Sequence, residues 1–312
     1  MPESAVSATG LTRRFGDVCG VDGLSFEIGR GELFGIVGPD GAGKTTTLRM
    51  LAGVLPPSTG DARIAGVSVA HDPEGVKHHI AYMSQRFGLY TDLTVRENIE
   101  FYADLFLVPQ AERRDRLERL YAFSGLGPFE KRLAGQLSGG MKQKLGLCCA
   151  LIHEPEILLL DEPTFGVDPI SRRDLWLILH EMVAAAITVV VATAYLDEAE
   201  RCDRVAFLHQ GRLIALDAPR VFQQRLAGHM YTIRTDAPRR ARQLLHGHHA
   251  VRRAALFGDV VHLTLDDPAS AWPMARATLE HAGITITADG PGEPSLEDVF
   301  IDLVAGGRSR GD

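Results

Sequence analysis

The sequence predicts an α/β domain built on a parallel sheet, followed by a smaller α+β domain. Short apolar runs occur at 32–37, 156–160 and 188–192, and such runs are typical of parallel strands that are covered on both faces. The first run leads through a glycine-rich turn into a helical segment at 44–51, the order of a strand–loop–helix phosphate-binding unit. After about Gly228 the composition changes, and short strand and helix segments alternate. We therefore expect domains at 1–228 and 229–312.

Local patterns predict the remaining elements. Residues 24–28 alternate between apolar and polar side chains, which indicates a half-buried strand. Thr94 and Glu97 have the spacing of a capping box, so a helix should begin there, and residues 112–123 have the pattern of a charged amphipathic helix. Both lie in a predicted helical subdomain at about 86–153. In the C-terminal domain we expect strands at 230–235, 250–257, 259–265 and 284–288, and helices at 237–246, 269–282 and 295–304.

Composition excludes some classes of function. The 312 residues carry a formal net charge of −7, which argues against non-specific binding to nucleic acid. The four cysteines show no metal-ligand spacing, and free cysteines of this kind fit a reducing cytosol. The apolar stretch at 182–194 is shorter than the roughly 20 residues that span a bilayer. We therefore expect any membrane role to depend on a partner.

A phosphate-binding loop is predicted at 38–45, where Gly38-Pro39-Asp40-Gly41-Ala42-Gly43-Lys44-Thr45 fits the pattern GxxxxGK[ST]. Glycines let the main chain turn tightly and bring its N–H groups close to phosphate oxygens, and the following helix adds its positive end. Lys44 would bind the β and γ phosphates, and the Thr45 hydroxyl would reach Mg²⁺. We expect the acidic side chain of Asp40 to face outward, away from the phosphates.

Two adjacent acids, Asp161 and Glu162, end the second apolar run. Because side chains alternate along a strand, their carboxylates should point in different directions. Asp161 suits a role as ligand of Mg²⁺, and Glu162 suits a role as the general base that polarises an attacking water. Such a pair is weak evidence alone, but it gains weight beside a phosphate loop in the same chain.

A third motif, Leu137-Ser138-Gly139-Gly140-Met141-Lys142-Gln143, stands shortly before the acidic pair. Ser138 would cap a helix whose N–H groups form a second anion site. The motif resembles the signature sequence of ABC ATPases, and the resemblance covers about residues 9–228. It implies catalytic roles for Glu162, Lys44 and Gln85, and a Mg²⁺ site at Thr45, Gln85 and Asp161. The implied ATP site comprises Phe15 on adenine, Gly38, Pro39, Asp40, Gly41, Ala42, Gly43, Lys44, Thr45 and Thr46, with Asp168 and, from the opposite domain, Ser138, Gly139 and Gly140.

The resemblance also implies partners. In the ABC family the signature contacts ATP held by a second ATPase domain, and the pair drives a separate membrane permease, so we expect a cytoplasmic subunit on the inner face of the cell membrane. Glu297-Asp298-Val299-Phe300 resembles a tail motif of ATPases that serve ABC-2-type exporters. Pro169-Ile170-Ser171-Arg172-Arg173 and Arg132-Leu133-Ala134-Gly135 resemble a drug or ion efflux subgroup in which two ATPase domains are often fused, and this chain resembles its first half.

One position departs from the family pattern. Ala194 stands where the family expects a histidine that contacts the γ-phosphate, and alanine has no side-chain donor. Loss of one such donor typically slows the chemical step about a hundredfold or more. We expect a slow ATPase site, preferably paired with a domain that carries a complete one. Alternatives are a homodimer in which Glu162 suffices, a regulatory ATP-binding subunit with little turnover, or a soluble ABC ATPase without a transport role.

Overall fold

A computed structural model describes residues 4–85 and 88–308 of the chain. The chain divides into two compact units, Met1–Leu216 and Asp217–Asp312. Within the described residues, no helix combines the length and the apolar character that a bilayer span requires. Residues 86 and 87 of the predicted helical subdomain lie outside the described part.

The first unit mixes strands and helices in the order that an α/β fold requires. Its elements are, in chain order, β1 (Ser4–Phe15), β2 (Val18–Gly29), β3 (Leu33–Val37), α1 (Lys44–Leu51), β4 (Thr59–Ile64), β5 (Val67–Ser68), α2 (Pro73–Lys77), β6 (Ile80–Met83), α3 (Val95–Leu105), α4 (Gln110–Ser124), α5 (Gly139–Leu151), β7 (Ile157–Asp161), α6 (Pro169–Ala184), β8 (Thr188–Thr193), α7 (Leu196–Ala199), β9 (Arg204–His209) and β10 (Arg212–Asp217).

A six-stranded sheet with the order β10-β9-β3-β8-β7-β6 forms the centre of this unit. Strands β3, β8, β7 and β6 are parallel neighbours, and every residue of β3, β7 and β8 is buried. Their register pairs Val37 with Thr193, and Asp161 with Ala192, so the carboxyl ends of these three strands lie side by side. The predicted α/β fold is thereby confirmed, and its strand ends define one chemical edge.

A second, antiparallel sheet with the order β2-β1-β4-β5 packs against the first. One core cluster includes Leu11 and Ile28 of this sheet together with Phe34, Leu159 and Val190 of the parallel sheet. Strand β1 was not predicted from the sequence, because several register shifts interrupt its pairing with β2 and break the alternation of apolar and polar residues.

The helical stretch contains α3, α4 and α5. The capping box at the start of α3 is confirmed, because Thr94 Oγ1 accepts from the Glu97 N–H at 3.2 Å while the Glu97 carboxylate accepts from the Thr94 N–H at 2.8 Å. Ser138 caps α5 by accepting from the Met141 N–H at 3.3 Å.

The second unit is a small α+β fold, as the sequence predicts. It contains α8 (Pro219–Leu226), β11 (Met230–Thr235), α9 (Pro238–Leu245), β12 (Arg253–Phe257), β13 (Val260–Thr264), α10 (Pro268–His281), β14 (Ile286–Pro291) and α11 (Leu296–Arg308). Its sheet has the order β12-β13-β11-β14. The boundary between units falls before α8 instead of at 228, because α8 buries Phe222 and Leu226 and packs against α11.

The second acidic residue of the tail motif, Asp298, attaches α11 to the sheet of the second unit. Its side chain is fully buried and lies 3.1 Å from His262 Nδ1 and 3.4 Å from Arg253 Nη2. It also accepts from the Ser295 hydroxyl at 2.8 Å, at the start of α11. Burial raises the pKa of Asp298, but the hydrogen bonds with His262 and Ser295 outweigh burial and hold the pKa below its ordinary value.

Substituting Asp298→Asn should lower the free energy of unfolding of the second unit by about 3 kcal/mol, because the mostly buried Arg253 would lose its carboxylate partner. The folded-state pKa of Asp298 lies below the unfolded value, so its contribution exists above about pH 4 and disappears as the pH falls further. Urea unfolding at pH 7 and at low pH measures both effects. Asp302→Asn, which affects a more exposed pair with Arg252, is the matched control. Equal losses in the two variants would contradict the assigned role of Asp298.

Candidate active site

The turn between β3 and α1 has the geometry of a phosphate-binding loop. Gly41 and Gly43 have φ angles of +79° and +101°, which side-chain-bearing residues rarely adopt. A Cβ atom at Gly38 would lie 2.2 Å from Leu208 O, and one at Gly43 would lie 2.7 Å from Gly20 O. The glycines are therefore required both by the conformation of the turn and by the close approach of neighbouring main chain.

This turn presents several main-chain N–H groups as hydrogen-bond donors. Within residues 4–85 and 88–308, the N–H groups of Gly41, Gly43 and Lys44 meet no protein acceptor. The three residues line a cleft of about 540 Å³, which we call the sheet-edge cleft. Unsatisfied N–H groups at a helix N-terminus attract anions, so this part of the cleft fits a phosphate chain.

Lys44 supplies the positive charge of the cleft. Its side chain is buried, and Nζ donates to Gly38 O at 2.9 Å and to Pro39 O at 3.3 Å. Nζ also lies 3.2 Å from Glu162 Oε1, in an ion pair whose two side chains are 6% and 10% exposed. The ammonium group is thus held between the turn and the acidic pair.

The two carboxylates meet different partners, as the sequence predicts, but the cause is not strand alternation, because β7 ends at Asp161 and Glu162 lies in the turn that follows. Asp161 Oδ1 accepts from the Thr45 hydroxyl at 2.9 Å, and Asp161 Oδ2 lies 3.4 Å from the Tyr82 hydroxyl. Glu162 has a φ of +50°, a conformation uncommon outside glycine, and its Oε2 accepts from the Ala194 N–H at 3.3 Å. Asp161 is therefore turned toward α1, and Glu162 toward Lys44 and the end of β8.

Burial raises the pKa of Asp161, although the hydrogen bond from Thr45 acts in the opposite direction. A nearby divalent cation would favour the charged carboxylate. The Thr45 hydroxyl and the Asp161 carboxylate are hard oxygen donors in direct contact, and the Gln85 amide lines the same cleft. This donor set fits Mg²⁺, which commonly binds one or two protein oxygens together with substrate phosphates.

The cleft brings together most of the residues that the sequence singled out. Its lining contains Gly20, Asp40, Gly41, Ala42, Gly43, Lys44, Thr45, Thr46, Gln85, Glu162, Phe165, Ala194 and Tyr195. Asp40 is exposed while lining the cleft, and Gly38 and Pro39 contact the Lys44 ammonium.

Eight predicted residues do not line the cleft. Gly38, Pro39 and Asp161 contact the lining residues Lys44 or Thr45, and the remaining five are Phe15, Asp168, Ser138, Gly139 and Gly140. Phe15 is 47% exposed at the end of β1, and its ring approaches Gly20, where a Cβ atom would lie 3.0 Å from Phe15 Cε2. The Arg13 guanidinium stacks over this ring at 4.9 Å. Asp168 caps α6 by accepting from the N–H groups of Ile170 and Ser171, and these hydrogen bonds, led by that of Ser171, lower its pKa. The others, Ser138, Gly139 and Gly140, lie at the start of α5.

Some residues that contact or border the site through hydrogen bonds were not predicted from the sequence. Tyr82, three positions before Gln85, reaches Asp161, and Thr164 and Thr193 both donate to the buried Glu198. The only sequence signal for Tyr82 was its place at the end of a short apolar run on β6. Glu198 lies in a run of acids that looks like a solvated helix face.

Comparisons with known proteins agree with this geometry. The family model described as ABC transporter matches residues 21–165. The chain is 41% identical over 311 residues to the probable multidrug ABC transporter ATP-binding protein YbhF of Escherichia coli (strain K12), covering 98% of this chain and 53% of that protein. The chain therefore spans about half the length of this relative.

Two further relatives match over most of their own length. The daunorubicin/doxorubicin resistance ATP-binding protein DrrA of Streptomyces peucetius is 34% identical over 315 residues, which cover 97% of this chain and 93% of that protein. The Nod factor export ATP-binding protein I of Paraburkholderia xenovorans (strain LB400) is 38% identical over 220 residues, which cover 70% of this chain and 72% of that protein.

Solved structures are similar to about seven tenths of the chain. The structure of an ATP-binding subunit of an ABC transporter has a TM-score of 0.65 and 29% identity, covering 71% of this chain and 93% of that chain. The ATP-binding cassette MJ0796, in a dimeric post-hydrolysis state bound to ADP and Pi, has a TM-score of 0.62 and 25% identity. The match covers 68% of this chain and 98% of that chain.

Proposed function

The chain belongs to the ABC transporter family of ATP-binding proteins, and from this premise we propose that it binds and hydrolyses ATP as the motor subunit of an ABC-2-type exporter. The observation that carries the proposal is the sheet-edge cleft, where Lys44, Thr45 and Glu162 line one cavity and Asp161 accepts a hydrogen bond from Thr45 beside it. A phosphate-binding turn beside a metal-binding carboxylate and a second carboxylate has the parts that phosphoryl transfer to water requires.

In the proposed mechanism, the turn binds the triphosphate of ATP. The N–H groups of Gly41, Gly43 and Lys44 donate to phosphate oxygens, and the Lys44 ammonium exchanges its carbonyl partners for the β and γ phosphates. Phe15, beside Gly20 at the rim, stacks on the adenine ring. When ATP binds, each of these protein groups would exchange a contact with the protein or with solvent for a contact with the nucleotide.

Thr45 and Asp161 would hold Mg²⁺ with Gln85 nearby, and the bound ion would supply positive charge beside the phosphates. Glu162 accepts a proton from the water that attacks the γ-phosphorus, while the bond from the γ-phosphorus to the β–γ bridging oxygen breaks and ADP leaves. In the present structure Glu162 is paired with Lys44, so movement of the ammonium to the phosphates would free Oε1 to accept from water. The N–H of Ala194 holds the other carboxylate oxygen, Oε2.

We further propose that a second ATPase domain completes the site. Ser138, Gly139 and Gly140 do not line the sheet-edge cleft of their own chain, which suits a role toward ATP on a partner domain. Because Ala194 provides no side-chain donor, a hetero-pair with a complete domain is preferred to a homodimer. The pair would act on an ABC-2-type permease at the inner face of the cell membrane, and the permease would select the exported substrate.

Ala194 favours one alternative, a regulatory subunit that binds ATP with little turnover. The two proposals agree on nucleotide binding and differ in hydrolysis by the assembled complex. Measuring Mg-ATP turnover by the chain alone and with its partner domain decides between them. Binding without turnover in both cases would support the regulatory role.

Substituting Lys44→Ala should weaken ATP binding about thirtyfold, because a charged hydrogen-bond donor to phosphate contributes roughly 2 kcal/mol. Titration of the full chain with a fluorescent ATP analogue in the presence of Mg²⁺ measures the affinity. Lys77→Ala is the matched control, since Lys77 is paired with Glu74 at the surface, outside the cleft. Unchanged affinity in Lys44→Ala would refute the assignment of the cleft as the ATP site.

A further inference from the structure

A buried carboxylate outside the sheet-edge cleft connects two segments that border it. Glu198 has no exposed surface, and its two oxygens accept from different hydroxyl groups. Thr164 Oγ1 donates to Oε1 at 2.5 Å, and Thr193 Oγ1 donates to Oε2 at 2.9 Å. Thr164 stands two residues after Glu162, and Thr193 stands immediately before Ala194. The carboxylate therefore ties the segment that follows the general base to the segment that ends β8.

Arg172 of α6 also contacts the Glu198 carboxylate. Its Nε lies 3.4 Å from Glu198 Oε1, and its guanidinium stacks over the Tyr195 ring at 4.7 Å from the ring centre. Its Nη1 also lies 3.7 Å from the exposed Asp197. Arg172 belongs to the efflux-subgroup motif at 169–173, which the proposed chemistry leaves without a role. In the structure this arginine packs on the residue that follows Ala194.

The segment held in this way carries one direct contact to the catalytic group. The Ala194 N–H donates to Glu162 Oε2 at 3.3 Å, and the Tyr195 N–H donates to Thr193 Oγ1 at 3.0 Å. Alanine has no side-chain donor, so the main-chain N–H is the polar group that residue 194 can direct to Glu162. Its position depends on Thr193 and Tyr195, and both of these contact the Glu198–Arg172 pair.

We propose that Glu198 and Arg172 are positioning residues, which fix segment 193–195 so that the main-chain N–H of Ala194 orients the Glu162 carboxylate toward water. The inference rests on the proposed function, in which Glu162 is the general base. In this proposal the Glu198–Arg172 pair helps to orient the Glu162 carboxylate, a role in which a histidine at position 194 would otherwise share. A purely structural role would stabilise the fold without affecting the chemical step in particular.

Substituting Arg172→Ala should lower kcat for Mg-ATP about tenfold, which is the lower end of the effect of losing an orienting partner. The KM and the affinity for the ATP analogue should stay unchanged, because Arg172 does not contact the nucleotide in the proposed mechanism. Arg173→Ala is the matched control, because Arg173 is the next residue of α6 and is exposed. Arg172→Lys should restore part of kcat by keeping the charge beside Glu198. Glu198→Gln, which preserves the shape and can still bond both threonine hydroxyls, should resemble Arg172→Ala.

Three outcomes would overturn the inference: an unchanged kcat in Arg172→Ala, an equal fall in Arg173→Ala, or a parallel loss of kcat and nucleotide affinity. If the wild-type complex binds ATP but does not turn it over, the proposed function fails instead. Hydrogen exchange at the Ala194 amide then tests the positioning alone. Faster exchange in Arg172→Ala than in Arg173→Ala supports it, and equal exchange refutes it.

Discussion

Substituting Glu162→Gln should reduce kcat for Mg-ATP about a thousandfold, within the range that a positioned general base contributes. Glutamine keeps the size of the side chain and can still accept from the Ala194 N–H, but it cannot take a proton from water. It also removes the negative charge beside Lys44, so ATP binding should be retained or strengthened. Turnover and nucleotide affinity, measured on the same preparation, separate these two effects.

The same variant tests the assembly of the site. If a second domain supplies Ser138 to ATP, a variant that binds but does not hydrolyse should accumulate as an ATP-dependent dimer, visible by light scattering. Glu181→Gln, an exposed change on α6 outside the cleft, should leave both turnover and mass unaffected. Full turnover in Glu162→Gln would exclude Glu162 as the base. Loss of turnover without dimerisation would indicate that the chain needs a different domain as partner.

The parallel sheet could be predicted because its strands satisfy one local condition. Strands β3, β7 and β8 are buried along their whole length, and this produces the continuous apolar runs that the sequence displays. The turn before α1 was equally predictable, since its glycines are required by backbone conformation. Helix α8 was assigned to the wrong side of the boundary because its contact with α11 joins positions far apart in the sequence.

The candidate site was only partly predictable for the same reason. Residue types and spacing indicated Lys44, Asp161 and Glu162, but the ion pair between Lys44 and Glu162 depends on how β3 and β7 are arranged in the sheet. The positive φ of Glu162, which aims it toward Ala194, leaves no pattern in the sequence. The contacts of Glu198 with Thr164 and of Arg172 with Tyr195 likewise join separate elements. The catalytic roles themselves stay predictions.

Substituting Ala194→His should raise kcat about a hundredfold if the missing donor limits hydrolysis, since one donor to the transition state is typically worth that factor. Ala194 lines the sheet-edge cleft with Lys44, Gln85 and Glu162, so an imidazole attached there can enter the space that the γ-phosphate would occupy. The gain should appear in kcat more than in KM, because the donor acts mainly on charge that develops during the reaction. Steady-state turnover of the homodimer and of the partnered complex measures it.

Ala194→Gln is the matched control, because it adds a side-chain donor of similar reach that cannot become a cation. A gain with histidine alone would mean that the chain lost an active imidazole and that its slow site depends on a complete partner domain. An unchanged kcat in Ala194→His would mean instead that the main-chain N–H of Ala194 already orients Glu162 sufficiently. The preference for a hetero-pair would then lose its physical reason, and a homodimer with two equivalent sites would become the simpler assembly.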